Sequence, residues 1–154
     1  MKVNEHNLLQ TLNALKLDAK VQQETNQIFI IFEQDEQQFP LFIRQLHEGE
    51  LLQLLTFIPC HLDEDAKMPL SRFLHMLNKE LDMPGFCLDE ASSTIFYRLM
   101  LPTLKKEFNP DVLEAYVNTS QMVCKSFATV IAALASGKMT LDEILKKATE
   151  LKSQ

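Results

Sequence analysis

Three consecutive segments between residues 27 and 58 repeat apolar side chains with the two-residue period of β-strands, and this pattern constrains the fold most. The first, Gln27–Phe32, is β-branched and aromatic at successive positions, which predicts a strand covered on both faces. Phe39–Leu46 and Leu51–Ile58 follow after a turn at Asp35-Glu36 and a second turn at Gly49. Such short connections predict an antiparallel meander.

Segments with a helical period surround this meander. The predicted helices are Asn4–Leu17, Lys67–Leu81, a long helix from Pro110 that ends at Gly137, and Thr140–Leu151; two further strands are Phe86–Leu88 and Ser93–Leu101. Asn109 is the expected N-cap of the long helix, and Thr140 begins a capping box. The prediction is one α+β domain, residues 1–154, with an antiparallel five-stranded sheet and flanking helices in the order α-β-β-β-α-β-β-α-α.

Length and charge limit the classes of partner. A chain of 154 residues is long enough to bury a sizeable core without metals or disulfides. Its net charge of -6 disfavours nucleic acid and anionic membranes as partners. The sequence contains neither a long apolar run nor the layout of a signal peptide, so a cytoplasmic location is expected. The number of cysteines is odd, and Cys60, Cys87 and Cys124 are each expected to be a small buried hydrophobic residue.

Patterns typical of catalysis are missing from the sequence. Its few glycines form neither a phosphate-binding loop nor a nucleophile elbow. Cys60-His61 with the acids at 63–65 does not match zinc spacing, and a strand end followed by a helix cap explains these residues. We therefore expect no enzymatic activity, no metal and no cofactor.

The distribution of apolar residues suggests that part of the sheet binds something. Ile28–Phe32 and Leu51–Ile58 are apolar on both alternating faces, although only about four helices are available to cover the sheet. Three explanations are open at this point: helices on both faces, a dimer interface, or a bound peptide segment.

The middle and end of the chain resemble a known family. Leu77–Leu81, Met83–Asp89, Ile95–Pro102 and Ile131–Leu145 are similar to the corresponding parts of YbjN-type proteins, which share the type III secretion chaperone-like fold. The resemblance implies an α+β sandwich in the bacterial cytosol that is usually a homodimer. Secretion chaperones of this fold hold an extended segment of a secreted effector on their apolar surface.

Two hypotheses for function follow from the resemblance. In the first, the chain is a non-enzymatic protein-binding module that resembles a type III secretion chaperone and holds an effector segment through apolar grooves and strand addition. In the alternative, it is a YbjN-like regulatory protein of a bacterial signalling or stress pathway without secreted cargo. The additional helix Thr140–Leu151 favours the YbjN branch.

Candidate binding residues come from the first helix and the two-faced strand. The predicted partner-binding anchors are Leu8, Leu12, Leu15, Phe29 and Ile31. An ordinary core role is an equally good explanation of these five residues. For the expected homodimer, through the sheet or the central helix, the predicted interface residues are Leu54 and Met100, both taken as surface positions.

Overall fold

The fold is an antiparallel sheet with its helices on one side. The computed structural model describes residues 1–152, so the last two residues of the predicted domain 1–154 lie outside the described part. The helices are α1 (Glu5–Ala14), α2 (Lys67–Glu80), α3 (Pro110–Ala135) and α4 (Leu141–Lys152). The strands are β1 (Lys20–Gln22), β2 (Gln27–Gln34), β3 (Gln37–Leu46), β4 (Leu51–Phe57), β5 (Phe86–Asp89) and β6 (Thr94–Pro102).

The sheet has six strands in the order β1-β2-β3-β4-β6-β5, and every neighbouring pair is antiparallel. The predicted α+β class and the meander β2-β3-β4 are confirmed, but the predicted number of five strands is wrong. The missed strand is β1, which contains only three residues and pairs with Gln27–Phe29. Asn26, with a φ of 55°, closes the turn between β1 and β2.

Local signals in the sequence set the ends of several elements. The side chain of Asn109 accepts a hydrogen bond from Asp111 N at 2.9 Å, and Pro110 follows as the first helical residue. Thr140 Oγ1 accepts from Glu143 N at 3.2 Å, which confirms the predicted cap of α4. Gly49 has a φ of 90°, a conformation that glycine adopts without strain. The two caps explain why α3 and α4 begin where the sequence predicts, and Gly49 explains the position of the turn between β3 and β4.

The core lies between the helices and one face of the sheet, here called the inner face. Its side chains alternate along the strands and are buried: Ile28, Ile30, Phe32, Phe39, Leu41, Ile43, Leu52, Leu54, Thr56, Phe86, Ile95, Tyr97, Leu99 and Leu101. Helix α3 crosses this face, where the ring of Phe127 meets Phe86 at 6.1 Å and Lys125 lies over the ring of Phe32. The buried leucines of α1 join the same core.

We predict that neighbouring positions in β4 tolerate truncation very differently. Leu54→Ala removes a fully buried inner-face side chain and is expected to lower the free energy of unfolding by about 2–5 kcal/mol. Leu55→Ala, on the opposite face and half-buried, is the matched control and is expected to cost less than about half as much. Urea unfolding of both variants measures the difference. Equal losses would mean that both faces are covered.

Candidate partner-binding face of the sheet

The face opposite the helices, here called the open face, is the candidate site. Its side chains alternate with the core residues, so Phe29, Phe42, Leu55, Phe57 and Phe96 point away from the helices. These residues are half-buried, whereas their inner-face neighbours are almost completely buried. A shallow depression of about 190 Å³ on this face is lined only by sheet residues. The apolar surplus of the sequence is therefore left uncovered within residues 1–152.

Four phenylalanines form a continuous row across the open face. The ring centroids of Phe29 and Phe42 are 5.9 Å apart, those of Phe42 and Phe57 are 5.8 Å apart, and those of Phe57 and Phe96 are 6.2 Å apart. The first pair is tilted, and the other two meet edge to face, which are favourable arrangements for aromatic rings. Together they connect four neighbouring strands, β2, β3, β4 and β6.

Other apolar side chains lie beside this row on the open face. Ile31 pairs with Pro40 beside the phenylalanines and is 48% exposed, an unusual exposure for isoleucine. Cys87 lies opposite Phe96 at the β5 edge, and Met100 lies opposite Gln53. The open face thus presents a band of apolar contacts rather than one isolated side chain.

The edge of the sheet at β2 is only partly paired. Strand β1 pairs with Gln27–Phe29, and within residues 1–152 no other strand continues this pairing along Ile30–Gln34. Alternate backbone N–H and C=O groups of this stretch therefore point to an unoccupied edge. An extended segment can add to such an edge through main-chain hydrogen bonds.

The predicted anchors are divided between the two faces. Leu8 and Leu12 are in the core, as the alternative explanation requires, and Leu15 is half-buried at the end of α1. Phe29 and Ile31 lie on the open face and stay predicted binding residues.

The placement of Leu54 as a surface position is corrected, because the register of β4 points its side chain into the core, where it is completely buried. Met100 lies on the open face and stays a predicted interface residue.

Sequence reasoning left Phe42, Phe57 and Phe96 out of the site. The two-residue alternation already separated Phe42 and Phe96 from the core positions of their strands. What it did not reveal is that pairing of β4 with β6 places Phe57 opposite Phe96. The row therefore depends on strand register as well as on periodicity.

The ionisable groups of the core have altered proton affinities. Burial raises the pKa of Cys124 to about 12, although the hydroxyl of Thr56 opposes the shift. Burial, with a smaller effect of Cys124, raises the pKa of Tyr97 to about 12. The Tyr97 hydroxyl donates a hydrogen bond to Met83 O. Near neutral pH both groups are protonated, so Cys124 behaves as the small buried hydrophobe that the sequence predicts.

Other kinds of site receive no support from the described residues. Within residues 1–152, no cluster of three or more His, Cys, Asp or Glu side chains has the arrangement of a metal site. His61 Nε2 lies 3.2 Å from Asp63 Oδ1 at an exposed position. None of the helices in this range combines the length and the hydropathy needed to cross a bilayer.

Comparisons with known proteins agree with this architecture. Residues 6–133 match the YbjN family, described as "Putative bacterial sensory transduction regulator". No curated protein sequence matches the chain.

Two solved structures have a similar fold. A chain from the structure described as "Crystal Structure of the ExsC-ExsE Complex" is 18% identical with a TM-score of 0.61, over 86% of this chain and 98% of that chain. YbjN from E. coli, described as "a putative transcription regulator", is 11% identical with a TM-score of 0.63, over 90% of this chain and 95% of that chain. The predicted fold class, that of a type III secretion chaperone, is confirmed with six strands in place of five.

We predict that the three free cysteines differ in reactivity with a thiol reagent at about pH 8. Cys124 is buried and its pKa is raised, so it is expected to react only after unfolding. Burial also raises the pKa of the half-buried Cys60, which is expected to react slowly. Replacement Cys124→Ser should leave the native titre unchanged and lower the titre in denaturant by one thiol. A lower native titre in this variant would contradict the burial.

Proposed function

Because the chain belongs to the YbjN family, we propose that it is a non-enzymatic protein-binding module that holds an extended segment of a partner protein on the open face of its sheet. The observation that carries this proposal is the phenylalanine row, which lies uncovered on the side without helices. Aromatic side chains supply most of the binding energy at many protein interfaces. A sheet face with this composition is suited to binding apolar side chains.

The proposed mechanism combines the row with the free edge of β2. An extended segment that pairs with Ile30–Gln34 continues the sheet, so its alternate side chains lie beside Ile31 on the open face. Main-chain hydrogen bonds provide affinity with little dependence on sequence, and the apolar contacts select the segment. The similarity in fold to a chain of the ExsC–ExsE complex supports a protein partner of the secreted-effector type.

A regulatory role is the second candidate function. The description of the family as a sensory transduction regulator, and that of the E. coli structure as a transcription regulator, favour a partner from a signalling pathway. Both candidate functions require the chain to bind another protein. Identification of the captured partner by mass spectrometry separates them: a secreted effector supports the first, and a signalling or transcription protein supports the second.

A cytoplasmic location and a homodimer are further parts of the proposal. The family resemblance implies both, and the three free cysteines suit a reducing compartment. For the dimer we favour the central helix α2, where Met68 is 76% exposed beside a depression of about 490 Å³. Cell fractionation tests the location.

The proposal predicts selective loss of partner capture. The double variant Phe42→Ser/Phe57→Ser removes two rings of the row, and Leu104→Ser/Met122→Ser removes two exposed apolar side chains elsewhere. Each tagged protein is expressed in the native host, and the captured proteins are quantified. We expect a stoichiometric partner with the unmodified chain and the control, and at least about tenfold less with the row variant.

Circular dichroism shows whether the row variant is folded, and Ile31→Ser provides a milder change at an exposed position of the same face. Undiminished capture by both folded variants would show that the partner does not bind to the open face. Failure of the unmodified chain to capture any stoichiometric protein would contradict the proposed function.

Light scattering tests the homodimer. At tens of micromolar the unmodified chain is expected to have twice the mass of 17.7 kDa, and Met68→Asp is expected to return it to 17.7 kDa. Met100→Asp is the comparison: if this variant is monomeric and Met68→Asp remains dimeric, the dimer interface lies on the sheet. A monomeric unmodified chain would exclude the dimer.

A further inference from the structure

The centre of the open face contains positive charge without any negative charge. In the fully described strands β3, β4 and β6, the only charged side chains on this face are Arg44 and Arg98. Both are exposed, and neither forms an ion pair with a residue in the range 1–152. This is unexpected in a chain with a net charge of -6, where acids outnumber bases.

The acidic side chains of the open face lie at its corners and already have partners. Glu33 Oε1 accepts a hydrogen bond from Gln38 Nε2 at 3.3 Å near the β2–β3 turn. Asp89 accepts from Ala91 N at 3.1 Å and from Ser92 Oγ at 2.9 Å in the β5–β6 turn. Neither carboxylate is therefore placed to neutralise the central arginines.

Strand register puts the two arginines on the same flank of the phenylalanine row, two strands apart. Phe42 pairs with Leu55, and Leu55 pairs with Arg98, so these three side chains lie side by side on neighbouring strands. Arg44 lies two residues beyond Phe42 in β3, opposite Gln53. From standard strand spacings, the Cα atoms of the two arginines are about 12 Å apart, with Leu55 and Gln53 of β4 between their strands.

We propose that the segment held on the open face is acidic, with apolar side chains on the phenylalanine row and carboxylates paired with Arg44 and Arg98. This inference rests on the proposed function and adds the chemistry of the partner. Guanidinium groups pair with carboxylates through charge-assisted hydrogen bonds. In an extended segment, side chains four residues apart point the same way at about 13 Å, so acids at this spacing fit the two arginines where the segment leaves β2 and crosses β4 obliquely on the open face.

A second copy of the chain fits this face poorly. Packing two open faces against each other places the arginines of one copy on central strands that contain no carboxylate. Burying unpaired guanidinium groups carries a large desolvation cost. This charge pattern is the reason for assigning the open face to another protein and the proposed dimer to the central helix.

Single-stranded nucleic acid also has negative charge, but the geometry favours a protein segment. The phenylalanine rings are half-buried and contact one another at tilted or edge-to-face angles, so their flat faces are not free to stack on successive bases. Nucleic-acid sites also follow the phosphate backbone with many cationic side chains. Besides the two arginines, the described strands place only Lys20 on this face, and its Nζ lies 3.7 Å from Asp18 Oδ2.

Synthetic peptides test the inference directly. The probes are ten-residue peptides with leucine at alternate positions and with Glu, Gln or Lys at two positions four residues apart; an oligothymidine is the nucleic-acid probe. Fluorescence anisotropy at low salt measures binding to the unmodified chain, to Arg44→Gln/Arg98→Gln, and to Lys146→Gln/Lys147→Gln. The last variant removes the same charge from exposed positions on the helical side.

We expect the Glu peptide to bind at least about tenfold more tightly than the Gln peptide, and this preference should disappear in Arg44→Gln/Arg98→Gln alone. Equal binding of Glu and Gln peptides, binding of no peptide, tighter binding of the oligonucleotide, or an unchanged preference in that variant would each overturn the inference. Binding that ignores charge but is lost in Phe42→Ser/Phe57→Ser would retain the proposed function without its acidic partner. Partner capture from the host decides the proposed function independently.

Discussion

Packing of the long helix α3 against one face of the sheet is the interaction on which the rest of the structure depends. Its buried stripe includes Leu113, Val117, Cys124 and Ile131, and it spans the strands in the middle of the sheet. Helices α1 and α2 extend this layer on the same side. Once these helices cover the inner face, nothing else in residues 1–152 covers the other one. The half-buried phenylalanine row on the open face is a direct consequence of this one-sided arrangement.

The same arrangement separates core residues from open-face residues within single strands. In β4, Leu54 contributes to the core, whereas its neighbour Leu55 faces outward between Phe42 and Arg98. Because successive strand residues point to opposite faces, substitutions on the open face are expected to have a limited cost in stability. The open face is thus able to combine aromatic and cationic side chains that an interior would exclude.

Much of the fold could be predicted because its signals are local. The alternation in β2, β3 and β4, the caps at Asn109 and Thr140, and the turn at Gly49 depend on residues close together in the chain. Strand β1 was missed because three residues are too few to show a period, and its pairing is set by the turn at Asn26.

The candidate site was only partly predictable, because its assembly is not local. Phe57 and Phe96 meet through the pairing of β4 with β6, which are separated in sequence by α2 and β5. Periodicity identified two apolar faces but did not specify which one the helices cover. Leu8 and Leu12, predicted as anchors from the leucine stripe of the first helix, pack in the core, whereas Phe29 and Ile31 of the two-faced strand lie on the open face.

Site-specific photo-crosslinking tests the central claim, that the partner lies on the open face. A photoreactive side chain is placed at Leu55 in the centre of that face, or at the exposed Met122 on α3, and the protein is irradiated with its captured partner. The account predicts a crosslinked partner from position 55 and none from position 122. Crosslinks from position 122 alone would place the partner on the helical side and contradict the account.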